Sequence, residues 1–318
     1  MARIVTVTPN PAVDTTYRVA HHTVGETLRV ASVERRAGGK GVNVARVLRT
    51  LERDVVVVAP LGGDAGRWMR RQLAAEGVAV RPTAGRGETR TTVTVVDDVS
   101  HPTVLAEPGP PFDPRAWESL RTEVGRSALP GAWVVVAGSS PAGAPASAVA
   151  ALVAVARSRG ARVLVDVSGP SLAAAAAAGA DIVKANAAEV CDATGARSID
   201  AAMSQLSAHG ATVVVSRGAE GMIARAPDGT LIRRGAVPGA SGNPTGAGDA
   251  ATAGLVAALD DDLPLDTAVA WAAVAGAAAV RHPLAGAVDL DALLLLAARA
   301  GIDVDGLLVA PSPVRRPS

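Results

Sequence analysis

The feature that most constrains the fold is a regular alternation of short β-branched runs with alanine-rich helical stretches. Residues 134–137 and 163–167 read as buried strands, and the alanine-rich stretch 147–158 between them predicts a helix. Strands that alternate with helices are joined by right-handed crossovers, which leave the strands parallel and place helices on both faces of the sheet. We therefore expect a doubly wound, mainly parallel α/β domain over residues 1–309.

Two segments interrupt this alternation. Residues 14–36 and 88–108 contain strand and turn patterns but no intervening helix. We expect them to pair into a small, separate β-sheet that acts as a lid and leaves a ligand cleft beneath it. The last residues, 310–318, contain three prolines and two adjacent arginines and predict a disordered tail.

Composition narrows the classes of partner. The formal net charge is +1 over 318 residues, so no general positive field would attract nucleic acid. The most apolar regions are rich in alanine and short for a bilayer, which favours buried helices over a membrane partner. A single cysteine, Cys191, rules out an internal disulfide framework and fits a reducing cytoplasm. Only two of the 31 basic residues are lysines, Lys40 and Lys184, which suggests sites where a compact point charge is needed.

The most informative segment is Ser-Gly-Asn-Pro-Thr-Gly-Ala-Gly-Asp at residues 241–249, followed by a helical run. Small residues let backbone amides approach an anion, and the helix that follows adds unpaired N–H groups and the positive end of its dipole. A carboxylate at Asp249 would repel a bound phosphate, so its place beside an anion hole indicates that it has another role. Accepting the proton of an attacking hydroxyl is such a role. The alternative is that Asp249 only caps the helix. The segment is not a Walker A loop, and no dinucleotide fingerprint is present.

These residues resemble the two signatures of the ribokinase-like (PfkB) carbohydrate kinases. Residues 241–249 resemble the C-terminal signature, and Ala-Gly-Gly-Lys-Gly-Val-Asn-Val-Ala at residues 37–45 resembles the N-terminal one. The resemblance runs in the same order from about residue 6 to residue 280. It implies that Asp249 is the catalytic base and that an anion hole is formed by the amides of Gly246, Ala247 and Gly248.

Other segments resemble the branch of the family that acts on phosphorylated sugars. These are residues 8–14 and 87–90, the loop 137–143, and the lysine-containing form of the N-terminal signature, Gly-Gly-Lys-Gly at residues 38–41. For some of these residues ordinary structural roles stay open from the sequence alone: a turn for Asp14, an exposed edge charge for Arg90 and a helix cap for Asn43. The resemblance implies that the sugar phosphate is bound by Asp14, Gly39, Lys40, Asn43, Arg90 and Ser139.

A third set of residues resembles the nucleotide side of the family. Lys-Ala-Asn-Ala-Ala-Glu at residues 184–189 is similar to the family's Lys-Pro-Asn-x-x-Glu. It implies that Glu189 acts through water, with Asn186, on Mg²⁺ bound to ATP, although an Asn and a Glu at this spacing also form an ordinary capping box. The resemblance implies ATP-binding residues at Lys184, Asn186, Ser216, Arg217, Gly218, Ala219, Glu220 and Gly221.

We therefore expect a kinase of a ketose phosphate. Fructose 1-phosphate, converted to fructose 1,6-bisphosphate, is the first choice, followed by tagatose 6-phosphate and then fructose 6-phosphate. A kinase of an unphosphorylated sugar or nucleoside is disfavoured because Lys40 and Arg90 would have no charge to meet, and a non-catalytic sugar-phosphate sensor is disfavoured by the intact Asp249 motif. Because exposed sheet edges pair readily, the lid could also join two chains in a homodimer.

Overall fold

The computed structural model describes residues 4–97, 102–242, 244–282, 284 and 286–302. The predicted tail at 310–318 and Asn243 of the C-terminal signature lie outside these residues. Within the described part of the chain, no helix is both long enough and apolar enough to cross a membrane.

The described residues form thirteen strands and ten α-helices. The strands are β1 (Ile4–Val7), β2 (Ala12–Val19), β3 (Val30–Gly38), β4 (Val55–Leu61), β5 (Ala79–Ala84), β6 (Arg90–Val96), β7 (Thr103–Ala106), β8 (Trp133–Ala137), β9 (Arg162–Asp166), β10 (Ile182–Asn186), β11 (Thr212–Ser216), β12 (Met222–Arg225) and β13 (Leu231–Arg234). The helices are α1 (Lys40–Thr50), α2 (Gly63–Ala75), α3 (Pro114–Ser127), α4 (Ala146–Ser158), α5 (Pro170–Ala177), α6 (Ala187–Thr194), α7 (Ile199–Ser207), α8 (Ala247–Asp260), α9 (Leu265–Arg281) and α10 (Leu290–Arg299).

Nine strands form the main sheet, in the order β13-β12-β11-β10-β9-β8-β1-β4-β5. The pairs from β11 to β5 are parallel, whereas β12 and β13 extend the β11 edge as antiparallel strands. Buried apolar clusters line the two faces of this sheet, one of them packed against α1, α8 and α9 and the other against α3, α4 and α5. The predicted doubly wound, mainly parallel α/β fold is therefore confirmed.

The other four strands form a separate sheet in the order β3-β2-β6-β7, which confirms the small second sheet. Its strands come from residues 12–38 and 90–106, close to the two segments that interrupt the alternation in the sequence. In this sheet β2 pairs antiparallel with β3 and parallel with β6. We call this four-stranded sheet the lid.

Local sequence explains where the elements next to the lid begin. Helix α1 begins at Lys40, directly after Gly39, whose φ of +98° lies in the region that favours glycine. Helix α3 was not predicted, although Asp113 caps it by accepting from the amides of Arg115 and Ala116, and Pro114 occupies its first position. Both features are readable signals for a helix start.

The fold brings the candidate residues to one edge of the main sheet. Strands β9 and β10 end at Asp166 and Asn186, and helices α1 and α8 begin at Lys40 and Ala247. Because parallel strands end at the same edge, their last residues and the helix starts beside them converge there. This carboxyl edge, facing the lid, holds the candidate site.

Candidate active site

Asp249 lies in the first turn of α8 and is almost fully buried, with 6% of its surface exposed. Gly246 precedes the helix with φ +82°, a left-handed conformation that glycine adopts without strain. Burial and, after it, the carboxylate of Asp166 together raise the pKa of Asp249 to about 6, against the lowering effects of Lys40 and of a hydrogen bond from Asn43. A carboxyl with a pKa near neutrality suits a general base.

The amide of Asn43 is held in the orientation that serves Asp249. Its Nδ2 donates to Asp249 Oδ2 at 2.8 Å, and its Oδ1 accepts from Arg46 Nη1 at 3.0 Å. Arg46 is itself fixed, because its Nη2 donates to the carbonyl of Ala37 at 2.7 Å and its Nε to Glu76 Oε2 at 2.9 Å. The first turns of α1 and α8 are thereby joined through side chains 206 positions apart in the sequence.

Sequence reasoning missed Asp166, the last residue of β9, which is only 1% exposed. It accepts hydrogen bonds from Lys40 Nζ at 3.0 Å, Lys184 Nζ at 2.8 Å and Thr252 Oγ1 at 2.7 Å. Burial alone would raise the pKa of Asp166, but the charges of Lys184 and Lys40 outweigh it and hold that pKa far below its usual range. An acidic residue directly after the buried apolar run 163–165 was the available signal.

The two lysines of the chain therefore meet at one carboxylate. Lys184 Nζ also donates to the carbonyl of Gly248, which links β10 to the segment predicted to form the anion hole. Lys40 Nζ lies 3.7 Å from Glu189 Oε1, and the pKa of Lys40 is raised mainly by Asp166. Lys40, predicted to bind substrate, thus contacts the carboxylates of β9 and α6.

Asn186 and Glu189 form a capping box at the start of α6. The Glu189 amide donates to Asn186 Oδ1 and the Asn186 amide donates to Glu189 Oε2, both at 2.9 Å. This occupies one carboxylate oxygen of Glu189 and leaves Oε1 on the side of Lys40.

A cleft of about 520 Å³ opens beside α8. It brings together most of the residues predicted to bind ATP, and its other walls come mainly from apolar residues of α8 and α9. Arg217 and Glu220, also predicted, instead pair with each other at the turn after β11. The cleft is lined in part by Asn186, Ser216, Gly218, Ala219, Gly221, Ala247 and Gly248.

On the lid side, Asp14 lies on β2 against the start of α1. A Cβ atom at Gly38 would come within 2.0 Å of Asp14 Oδ2, so glycine at this position makes room for the carboxyl. Burial raises the pKa of Asp14 to about 6, although the Gly39 amide and three arginines, Arg46, Arg90 and Arg36, lower it.

Arg90, Asn10 and Ser139 link the lid to the main sheet. Arg90 donates through Nη1 to the carbonyl of Glu107 at 2.8 Å and through Nε to that of Asn10 at 3.3 Å. The buried Asn10 donates through Nδ2 to Ser139 Oγ and to the carbonyl of Pro108. Asn10, which belongs to the opening motif, was not predicted as a site residue; its burial among polar partners marks it as one that positions Ser139.

The predicted residues thus fall in three neighbouring groups. One is the centre around Asp249, one the apolar cleft beside α8, and one the lid side around Asp14 and Arg90. Gly286 also borders the centre, because a Cβ there would come within 2.4 Å of the Asn43 side chain. A buried carboxylate, a helix start and nearby ammonium groups can together accept a proton and stabilise developing phosphate charge.

Comparisons with known proteins identify the family to which the chain belongs. The model described as pfkB family carbohydrate kinase matches residues 7–292. A 1-phosphofructokinase of Rhodobacter capsulatus is 40% identical over 277 residues, which cover 83% of this chain and 85% of that protein. A tagatose-6-phosphate kinase of Staphylococcus epidermidis is 30% identical over 169 residues, covering 53% and 54%.

Among solved structures, phosphofructokinase-2 from Escherichia coli in complex with fructose-6-phosphate superposes with a TM-score of 0.86 at 27% identity. The superposition covers 95% of this chain and 100% of that one. The expected resemblance is therefore confirmed, and the chain belongs to the pfkB family of carbohydrate kinases.

Proposed function

We propose that this chain transfers the γ-phosphoryl group of ATP to the 6-hydroxyl of fructose 1-phosphate, giving fructose 1,6-bisphosphate and ADP. The observation that carries the proposal is the Asp249 carboxyl, buried at the glycine-lined start of α8 with a pKa of about 6. The 40% identity with a 1-phosphofructokinase over most of both chains supports this choice of ketose phosphate. The second candidate is tagatose 6-phosphate, which a shorter match supports, and fructose 6-phosphate is the third.

In the proposed mechanism, Asp249 accepts the hydroxyl proton while the oxygen forms its bond to the γ-phosphorus and the bond to the leaving ADP oxygen breaks. Asn43 holds the Oδ2 of Asp249 in place for this transfer. The amides of Gly246, Ala247 and Gly248 and the ammonium of Lys40 stabilise the charge on the transferring group. A positioned base contributes roughly 10²–10⁴-fold to such a step.

The cleft beside α8 is the proposed nucleotide site. Its apolar walls suit a flat base, and backbone at Gly218 and Gly221 lets the nucleotide come close. Magnesium favours oxygen ligands and keeps most of its waters, so Glu189 Oε1, which is free of the capping box, fits an ion carried in on ATP. When bound, the ion neutralises phosphate charge.

We also propose that the lid joins two chains in the cytoplasm. Val33 and Leu105 are 55% and 59% exposed, and strand register places them on the same face of the lid as Tyr17. An exposed apolar sheet face of this kind favours association with a second copy.

Asp249→Asn tests the catalytic assignment. We expect kcat with fructose 1-phosphate to fall at least roughly 10³-fold, with little change in ATP affinity, because the amide cannot accept the proton. Asp64→Asn is the matched control, since Asp64 also lies in a first helical turn but is 91% exposed. A coupled assay of ADP release with all three ketose phosphates measures both variants. Turnover of Asp249→Asn close to that of the wild type would refute the assignment.

A further inference from the structure

The guanidinium of Arg36, on lid strand β3, has a buried N–H donor without a hydrogen-bond acceptor in the described part of the chain. Its Nη1 is shielded from solvent and has no hydrogen-bond partner among the described residues. Within the same part of the chain, none of the ion pairs shorter than 4 Å involves its guanidinium. A buried charged N–H without an acceptor is costly, so its presence calls for a partner outside the protein.

The neighbouring Arg46 shows what a structural arginine looks like in this region. All three of its donor nitrogens are engaged, with Asn43, Ala37 and Glu76. Arg36 has no comparable set of hydrogen-bond acceptors among the described residues. The pKa of Arg36 is lowered, first by burial and then by the charge of Arg46, although the nearby carboxylates of Glu76, Glu34 and Asp14 raise it. The missing acceptor is therefore expected to be an anion.

The register of the lid places Arg36 beside Asp14. Arg36 is the direct partner of Asp14 in the antiparallel β2–β3 pair, and residues directly opposite lie on the same face, with Cα atoms roughly 4.5–5.5 Å apart. On the other side of β2, Arg90 pairs with Ala12, two residues before Asp14 and hence on the same face. Asp14 is thus flanked by one guanidinium on each side.

The location of Lys40 shows why the lid must supply this charge. Lys40 is engaged by Asp166 and Glu189, on the side of Asp249 and the nucleotide cleft. A sugar phosphate whose hydroxyl faces Asp249 turns its own phosphate away from that centre, towards the lid. There Arg90 has two nitrogens bound to backbone carbonyls, and Arg36 has a free one.

We propose that Arg36 binds the phosphate already present on the sugar substrate, opposite Arg90 and across Asp14, and so selects phosphorylated over neutral sugars. This inference rests on the proposed function, in that the substrate is a sugar phosphate. The planar guanidinium presents donors in the geometry that phosphate oxygens accept. Arg36 is then a specificity-determining residue, separate from the transfer chemistry at Asp249.

Arg36→Met tests this role, since methionine keeps much of the apolar stem and removes the charge. We expect KM for fructose 1-phosphate to rise about 10- to 100-fold, because a charge-assisted hydrogen bond is lost. Turnover at saturating sugar and KM for ATP should stay within about twofold. Arg36→Lys, which keeps the charge and loses the fork, should give an intermediate KM. The matched control is Arg35→Met: Arg35 is exposed and, one residue away on the strand, points to the other face.

Two readouts that do not depend on turnover separate this role from a structural one. Calorimetric titration with fructose 1-phosphate in the absence of ATP should show the affinity loss in Arg36→Met and not in Arg35→Met. The unfolding midpoint of ligand-free Arg36→Met should equal or exceed that of the wild type, because an unpaired buried donor is removed. A lower midpoint with unchanged sugar-phosphate affinity would overturn the inference in favour of a structural role.

The same titrations distinguish failure of the inference from failure of the proposed function. If Arg36→Met binds fructose 1-phosphate as tightly as a wild type that turns it over, the inference falls and the proposed function stands. If the wild type binds and phosphorylates none of the three ketose phosphates, the proposed function falls and the inference with it.

Discussion

Replacing Asp166 with asparagine tests how the two lysines are held at the catalytic centre. Asp166 is the acceptor shared by Lys40, Lys184 and Thr252, and Lys184 is only 3% exposed. Asparagine has nearly the same shape but no charge, and its amide group would point N–H donors at an ammonium or a hydroxyl. The variant therefore leaves a buried ammonium without its counter-charge.

The size of the stability loss expected for Asp166→Asn follows from this burial. Breaking a buried ion pair by removing one partner costs about 3–5 kcal/mol of unfolding free energy. For a chain of this length the entropy of unfolding is about 0.7 kcal/mol per kelvin, so the thermal midpoint should fall by about 4–7 °C. Thr252→Val, which removes only the neutral hydroxyl donor to Asp166, should cost about 1 kcal/mol and serves as the matched control.

Asp166→Asn should also move the acid limb of the pH profile of kcat/KM to lower pH. Asp249 must be ionised to act as a base, so kcat/KM falls as the pH drops below its pKa of about 6. The carboxylate of Asp166 raises that pKa, and its removal leaves the lowering effects of Lys40 and Lys184 in place. The Asp249 limb of Asp166→Asn should therefore lie at lower pH than in the wild type.

The assay is kcat/KM for fructose 1-phosphate between pH 4.5 and 8, paired with thermal unfolding. Asp14 also has a pKa of about 6, and the substrate phosphate titrates in the same range, but neither is governed by Asp166. The shift of the acid limb between Asp166→Asn and the wild type therefore reports on Asp249. An acid limb that stays in place or moves to higher pH, or a midpoint lowered no more than in Thr252→Val, would refute this account of the cluster.

Two further predictions concern the base and the lid. Asn43→Ala removes the hydrogen bond that favours ionised Asp249, so the pKa of Asp249 should rise. The acid limb of kcat/KM should then move to higher pH, in the direction opposite to that expected for Asp166→Asn. An unmoved limb would count against the Asn43 contact. Leu105→Arg places a charge on the exposed apolar face of the lid and should convert the proposed dimer into a monomer, as measured by analytical ultracentrifugation. The control variant Asp64→Asn should stay dimeric. A wild type that is monomeric at assay concentrations would contradict the dimer.

Much of the fold could be predicted because its signals are local. Buried parallel strands appear as short β-branched runs, and residues 134–137 fall within β8 (Trp133–Ala137), one residue shorter than the strand. The antiparallel strands β12 and β13 were not predicted, because four-residue strands with mixed burial give little periodicity.

The site was predicted where its residues belong to glycine-rich motifs and was missed where its partners are scattered. Asp249 lies in a recognisable glycine-rich motif, whereas Asp166 is the last residue of β9 and has no motif around it. Its function is visible only once β9, β10, α1 and α8 have brought Lys184, Lys40 and Thr252 to the same carboxylate. No local pattern encodes such a meeting of distant segments.

Arg35 and Arg36 show most clearly what strand register adds to sequence. The two residues have the same chemistry and adjacent positions, and neither belongs to a recognised signature. Alternation along β3 sends them to opposite faces, and the pairing of Arg36 with Asp14 decides which of them meets the ligand cleft. A one-residue shift of β3 against β2 would exchange the two roles. The register of β3 against β2 thus decides which arginine of the lid recognises the substrate phosphate. Gly38 helps to maintain this register, because it leaves room for the Asp14 carboxyl.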